Sequence, residues 1–168
     1  MGRWRSGQGR VIVMTGSSFI YVTYIRSPQQ KVWDALTKPE FQKLYWFGGH
    51  QESTWKKGAE WKMFMPQHGL TDSGEILESD PPNRVVIKWR NEFRPNLKEE
   101  GYARCVMELA QEAELTKLTI THTIDKENSQ FIQAVSGGWP RILSSLQSYL
   151  ETGRAHGDTR TTGQQAHT

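Results

Sequence analysis

The stretch SQFIQAVSGGWPRILSSLQSYLETG, residues 129–153, decides the fold. Phe131, Val135, Trp139, Ile142, Leu143, Leu146 and Leu150 recur at helical spacing and form one apolar stripe. Ser129 suits an N-cap, and Gly153 suits a C-terminal stop. Pro140 has no N–H to give to the preceding turn, and Gly137-Gly138 weaken helicity just before it. The spacing therefore predicts one long helix that bends, or breaks in two, near Trp139. An apolar stripe of this length must be covered by a second layer.

That layer precedes the helix. Residues 51–54, 59–65, 72–79, 84–90, 102–109 and 115–124 carry strand-like alternation. Turn residues separate them: Lys57-Gly58, Pro66 to Gly69, Asp80-Pro81-Pro82-Asn83, and Pro95 to Gly101. Strands joined by short turns imply an antiparallel meander. Further upstream, residues 19–26 read as one more strand. Ser27 is placed as an N-cap and Pro28 in the first turn of a helix bearing Val32, Trp33 and Leu36. Thr37-Lys38-Pro39 ends it. A second short helix from Pro39 to about Tyr45 offers Phe41 and Leu44 before Gly48-Gly49. The expected class is α+β, in the order β-α-α-β6-α, with the sheet wrapped around the last helix. Residues 17–153 form the expected domain, between a disordered basic tail (1–16) and a disordered C-terminal tail (154–168). Met14 is read as an alternative start of the chain.

The totals narrow the function classes. The net charge of +3 comes from the ends. Without Arg3, Arg5, Arg10, Arg154, Asp158 and Arg160, residues 15–152 hold 16 basic and 17 acidic side chains. A nucleic-acid footprint would be a basic patch on the domain itself, so no nucleic-acid partner is expected. The single cysteine, Cys105, excludes an internal disulfide and fits a cytoplasmic location. No apolar run is long enough for a membrane span or a secretory signal. Seven Trp residues exceed what a core of this size needs and suit the lining of an apolar pocket.

Four stretches in fixed order carry a family likeness. The first joins strand 19–25 to Val32-Trp33-Asp34-Ala35-Leu36-Thr37. The second is Tyr45-Trp46-Phe47-Gly48, followed by Trp55-Lys56-Lys57-Gly58. The third is Gly74-Glu75-Ile76-Leu77-Glu78 with Pro81-Pro82-Asn83-Arg84. The fourth is Gly137-Gly138-Trp139-Pro140, Leu143-Ser144-Ser145-Leu146 and Leu150-Glu151-Thr152-Gly153. On these residues the chain resembles the activator of heat-shock-protein-90 ATPase homologue-like family of the START-like (SRPBCC, birch-pollen-allergen-like) superfamily. The resemblance implies a helix-grip fold with a cavity between sheet and long helix. The family's co-chaperone role belongs to a protein with a second domain and is not implied by the fold alone.

Strand alternation selects the side chains that face the helix. Trp61, Met63 and Met65 share a face, as do Val85, Ile87 and Trp89. Ala103, Cys105, Met107 and Leu109 share one, and so do Leu118, Ile120, His122 and Ile124. The expected ligand-binding set is Tyr45, Trp46, Trp61, Met63, Met65, Ile87, Trp89, Met107, Ile120, His122, Val135, Trp139 and Leu143. Trp and Met together make a deformable, polarizable surface for varied apolar ligands. His122, inward among aliphatic neighbours, needs a hydrogen-bond partner from ligand or protein. His50, His68, His122, His156 and His167 are scattered, with no metal-ligand pair. Neither a phosphate loop nor a dinucleotide fingerprint is present, so no cofactor is expected. Lys56, Lys57, Lys88 and Arg90 read as solvated outer-face charges.

Three functions remain open on this reading. The first is binding of a small, largely apolar molecule between sheet and helix, without catalysis. The second is an enzyme of the same fold, cyclase- or hydrolase-like, using His122 with Tyr45 or Glu60. Cys105 is a further candidate nucleophile if His122 lies beside it on the next strand. The third is a protein-interaction role as a modulator of a chaperone ATPase or partner of a regulatory protein.

Overall fold

A computed structural model describes residues 16–157 and, ahead of them, the backbone of residues 3–5 and 11–13. Strand β1 (Arg3–Arg5) pairs antiparallel with β2 (Val11–Val13) as a separate two-stranded unit. Both strands fall within residues 1–16, the stretch expected as a tail, most of whose other residues lie outside the described ones. Met14, the suggested start, lies outside the described residues.

The main sheet is antiparallel and seven-stranded, in the order β3-β9-β8-β7-β6-β5-β4. Its members are β3 (Ser17–Ile25), β4 (His50–Glu52), β5 (Glu60–Met65), β6 (Gly69–Asp80), β7 (Arg84–Asn91), β8 (Ala103–Glu112) and β9 (Leu115–Ile124). Between β3 and β4 run α1 (Gln29–Thr37) and α2 (Pro39–Tyr45), and α4 (Gln130–Thr152) closes the order. The expected α+β helix-grip arrangement is thus present, with one addition. A short helix, α3 (Pro95–Lys98), forms in the loop between β7 and β8.

Alternation sets the two sides of the sheet. In β9, Thr116, Leu118, Ile120, His122 and Ile124 are all buried, and the residues between them are half-exposed. Those buried positions, with their partners on β8 and β7, meet Phe131, Trp139, Leu143 and Leu146 of α4 in one core. Full burial of each aliphatic or Phe side chain among them stabilises the fold by roughly 1.5–3 kcal/mol. On the outer side, Arg84 pairs with Glu78 and Glu108, and Lys88 and Arg90 flank the Tyr102 ring.

Several local expectations change. Helix α4 is continuous through Pro140 rather than broken, because its stripe packs on the sheet on both sides of that residue. Ser129 is the N-cap as expected, accepting from Ile132 N at 3.0 Å. Glu100 adds to the cap, accepting from the backbone of Gln130 and Phe131. Helix α1 starts one residue late: Pro28 is the N-cap, while Ser27 is buried and its carbonyl accepts from Thr116 Oγ1 at 2.7 Å. In α2 the buried residues are Gln42 and Tyr45, with Phe41 and Leu44 half-exposed. Residues 154–157, expected as tail, turn back on α4: Ala155 joins the core and His156 N donates to Ser145 Oγ.

Candidate functional site

The inner face of the sheet is not filled evenly. Near Tyr45 and Trp61, polar atoms are satisfied inside the protein. Tyr45 Oη donates to Ala35 O at 2.7 Å, and Trp61 Nε1 donates to Gln51 Oε1 at 2.9 Å. Gln42, itself fully buried, donates to Leu36 O and accepts from Gln51 N, which locks α2 to β4. Burial pushes the Tyr45 phenol above its ordinary pKa. Here the buried polar groups are paired within the protein.

Toward the other end of the sheet, the N-terminal half of α4 stands off β5, β6 and β7 and leaves a cleft of about 380 Å³. Trp46, Met63, Met65, Trp89, Val135 and Trp139 of the expected set form its walls. The indoles build one aromatic surface: Trp46 meets Trp139 edge-on at 5.5 Å, and Trp139 meets Trp89 edge-on at 6.0 Å. Trp61 supports Trp89 from behind at 4.4 Å. Such pairs add about 0.5–1.5 kcal/mol each beyond their area and hold the rings in place.

The remaining expected residues, Tyr45, Trp61, Ile87, Met107, Ile120, His122 and Leu143, lie in the core but not in the cleft wall. His122 sits one layer behind it. Its Nδ1 accepts from Trp139 Nε1 at 3.2 Å, and burial lowers its pKa to about 3. It is held neutral and away from the cleft, so it is badly placed as the acid or base of the enzyme reading. Cys105 does lie opposite His122 in the β8–β9 register, as that reading supposed. Burial nevertheless pushes its thiol up, and a thiol held protonated is not a nucleophile.

The residue that sequence reasoning missed is Asp72. The β5–β6 register shifts after Met63, so that Met63 faces Asp72 while Phe64 faces Leu70, with Thr71 as the extra residue. The bulge buries Thr71 and Asp72 side by side. Asp72 is only 4% exposed yet lines the cleft. Its Oδ2 accepts from Trp89 Nε1 at 2.7 Å and from Asn91 Nδ2 at 3.5 Å. Desolvation raises its pKa, against the pull of the Trp89, Thr71 and Asn91 side chains. A carboxylate at the start of a predicted strand carries no sequence signal of this burial.

Phe131, Leu97 and Ile142 complete the apolar wall, and His68, Phe93 and Arg94 form the rim. Gly138 of α4 also faces the cleft. A Cβ placed there would meet nothing within 4 Å, so packing does not demand glycine. A mid-helix glycine costs about 1 kcal/mol relative to alanine. What the missing side chain leaves is open space in the cleft.

A second groove of about 420 Å³ lies between α1 and the C-terminal part of α4, beside Phe41, Tyr149 and Leu150. It has similar room but no buried polar group. Among the described residues no three His, Cys, Asp or Glu side chains are grouped to hold a metal ion. No helix among them is long and apolar enough to cross a membrane.

The family model for activator of Hsp90 ATPase homolog 1-like proteins matches residues 26–151. The chain belongs to this family. No curated protein matches the sequence of this family member at a significant level. Solved structures share its fold. CalU16 from Micromonospora echinospora is 22% identical over 90% of this chain and 84% of its own, with a TM-score of 0.66. The Aha1 dimer from Colwellia psychrerythraea is 19% identical over 83% and 99%, with a TM-score of 0.68. PFC0360w, an HSP90 activator from Plasmodium falciparum, is 21% identical over 79% and 95%, with a TM-score of 0.65. At these identities the likeness is one of fold.

Proposed function

We propose that this protein binds a small, largely apolar molecule in the cleft between the N-terminal half of α4 and strands β5–β7. The observation that carries this reading is the cleft itself. It has about 380 Å³ of room, walls of Trp46, Trp89, Trp139, Met63 and Phe131, and a helical glycine at its back. Ligand pockets run from roughly 300 to 1,000 Å³ and are mostly apolar with a few placed polar groups. The test pairs wild type with Gly138→Leu and follows thermal stability as an apolar probe such as 1-ethylnaphthalene is added. Binding to the native state raises the wild-type midpoint with probe concentration. The leucine, projecting into the cleft, abolishes the rise. An equal rise in both proteins contradicts this site.

A second reading rests on the family match alone. PFC0360w, a protein of this fold, is an HSP90 activator. If this chain acts likewise, it stimulates the ATPase of a cognate chaperone in a purified assay. No stimulation at large molar excess removes that role.

A further inference from the structure

The cleft is apolar but contains one buried carboxylate, and that carboxylate has no counter-ion. Among the described residues no Lys, Arg or His forms an ion pair with Asp72. The nearby acid, Glu92, is different: Arg90 and Lys98 pair with it at 2.7 and 3.1 Å. The cations of this region are therefore spent on Glu92. Arg94, the only Arg or Lys in the cleft lining, is exposed at the rim and makes no ion pair.

A buried acid needs donors, and Asp72 has two neutral ones, Trp89 Nε1 and Asn91 Nδ2. An ionised carboxylate has room for about four. Trp89 and Asn91 both approach Oδ2. When ionised, the acid keeps acceptor capacity inside the cleft wall, and no ion pair among the described residues offsets its charge. Trp46, Trp139 and Phe131 line the same cleft, and Trp89 is in direct contact with the acid. Aromatic faces attract organic cations by about 0.5–2 kcal/mol each, and more when water is excluded. A carboxylate among aromatic rings is a receptor for positive charge carried on an apolar frame.

We infer that the cleft selects an organic cation, a protonated amine on an aromatic or aliphatic body, with the ammonium received by Asp72 and the body packed on Trp89 and Trp139. This rests on the cleft being the binding site and adds the chemical class of its occupant. The amine's charge completes what the fold leaves unpaired at Asp72, and the indoles accept the remainder of the molecule. A neutral hydroxyl would supply a hydrogen bond but no charge.

Three probes of one shape test it: 1-naphthylmethylamine, 1-naphthylmethanol and 1-ethylnaphthalene, titrated by calorimetry into the full-length protein at neutral pH. The amine binds about tenfold or more tighter than either neutral probe, as expected for a charge-assisted contact. Asp72→Asn, which keeps an oxygen acceptor for Trp89 Nε1, removes that preference while the hydrocarbon still binds. Equal affinity for amine and hydrocarbon overturns the inference and leaves the apolar-binding reading standing. So does an alcohol that equals the amine, or a preference that survives Asp72→Asn. Failure of all three probes to bind overturns both. Even if Asp72→Asn does not fold, the wild-type series decides whether the protein prefers a cation.

Discussion

Trp139 Nε1 donates a hydrogen bond to His122 Nδ1 at 3.2 Å, tying the middle of α4 to the strand beneath it. An indole nitrogen only donates, so Nδ1 is the acceptor and the neutral ring carries its proton on Nε2. That Nε2 has no hydrogen-bond partner among the described residues. The rings of Trp89 and Phe131 lie 5.1 Å from the imidazole on either side. A second proton would place a charge among those rings and abolish the acceptor for Trp139. Burial accordingly lowers the His122 pKa to about 3.

The sign of the pH effect follows. In the unfolded chain the imidazole titrates near 6.5. Between about 6.5 and 3 the unfolded state binds more protons than the folded one, so stability falls as pH falls through that window. Above 6.5 the contribution is complete. Denaturant titrations at stepped pH should show a loss of up to about 4–5 kcal/mol from this group. His122→Asn, which offers an oxygen near the position of Nδ1, should show a much shallower slope. Identical slopes would clear the imidazole of this role.

Gly74 lies between Trp61 on β5 and Trp89 on β7 in the strand register. A Cβ built on it would overlap the Lys88 carbonyl oxygen, which belongs to backbone and cannot rotate away. Gly74→Ala should therefore destabilise the fold by about 3 kcal/mol or more, as overpacking against backbone does. The shift in urea midpoint at constant m-value measures it. A change within about 0.5 kcal/mol, the range of ordinary surface substitutions, would contradict the close approach.

Gly138 behaves in the opposite way. Since a Cβ there meets nothing, Gly138→Ala should stabilise α4 by about 1 kcal/mol through helix propensity alone. Thermal unfolding reads the gain directly. A loss instead would mean that the helix backbone at this position needs glycine after all.

Glu100 anchors the start of α4 from outside the helix. Its carboxylate accepts from Gln130 N at 2.9 Å and Phe131 N at 3.2 Å, and Ser129 Oγ donates to it. These backbone donors have no partner within the helix, and the negative charge complements the helix dipole. Glu100→Ala should cost about 1–2 kcal/mol. Hydrogen exchange should rise at Gln130 and Phe131 before it rises at Leu146. Unchanged protection of the first turn would show that Ser129 alone suffices.

The order of elements was legible because each one declares itself over a few residues. The stripe from Phe131 to Leu150, the alternation of β9 and the Pro81-Pro82 turn are all local signals. The inward faces of β5, β7, β8 and β9 were legible for the same reason. Position along those faces was not. Alternation says that Trp61, Ile87 and Ile120 point inward, but not that they are sealed in the core while Met63 and Asp72 line a cleft. That depends on where α2 and Gln42 fill the core and where they stop. Asp72 was hidden twice over. Its inward turn depends on a one-residue register shift against β5, and its partner Trp89 arrives from β7. Both are products of long-range pairing. At Pro140 the sequence left a bend or a break open, and packing along both halves of α4 keeps it one helix.

The most direct test of the binding account is an NMR titration of the seven tryptophan indole N–H signals with 1-naphthylmethylamine. The account predicts saturable shifts at Trp89 and Trp139, with Trp33 and Trp55, which lie outside the cleft, unmoved. No saturable shift at Trp89 and Trp139, or saturable changes only around Phe41 and Tyr149 in the second groove, would contradict it.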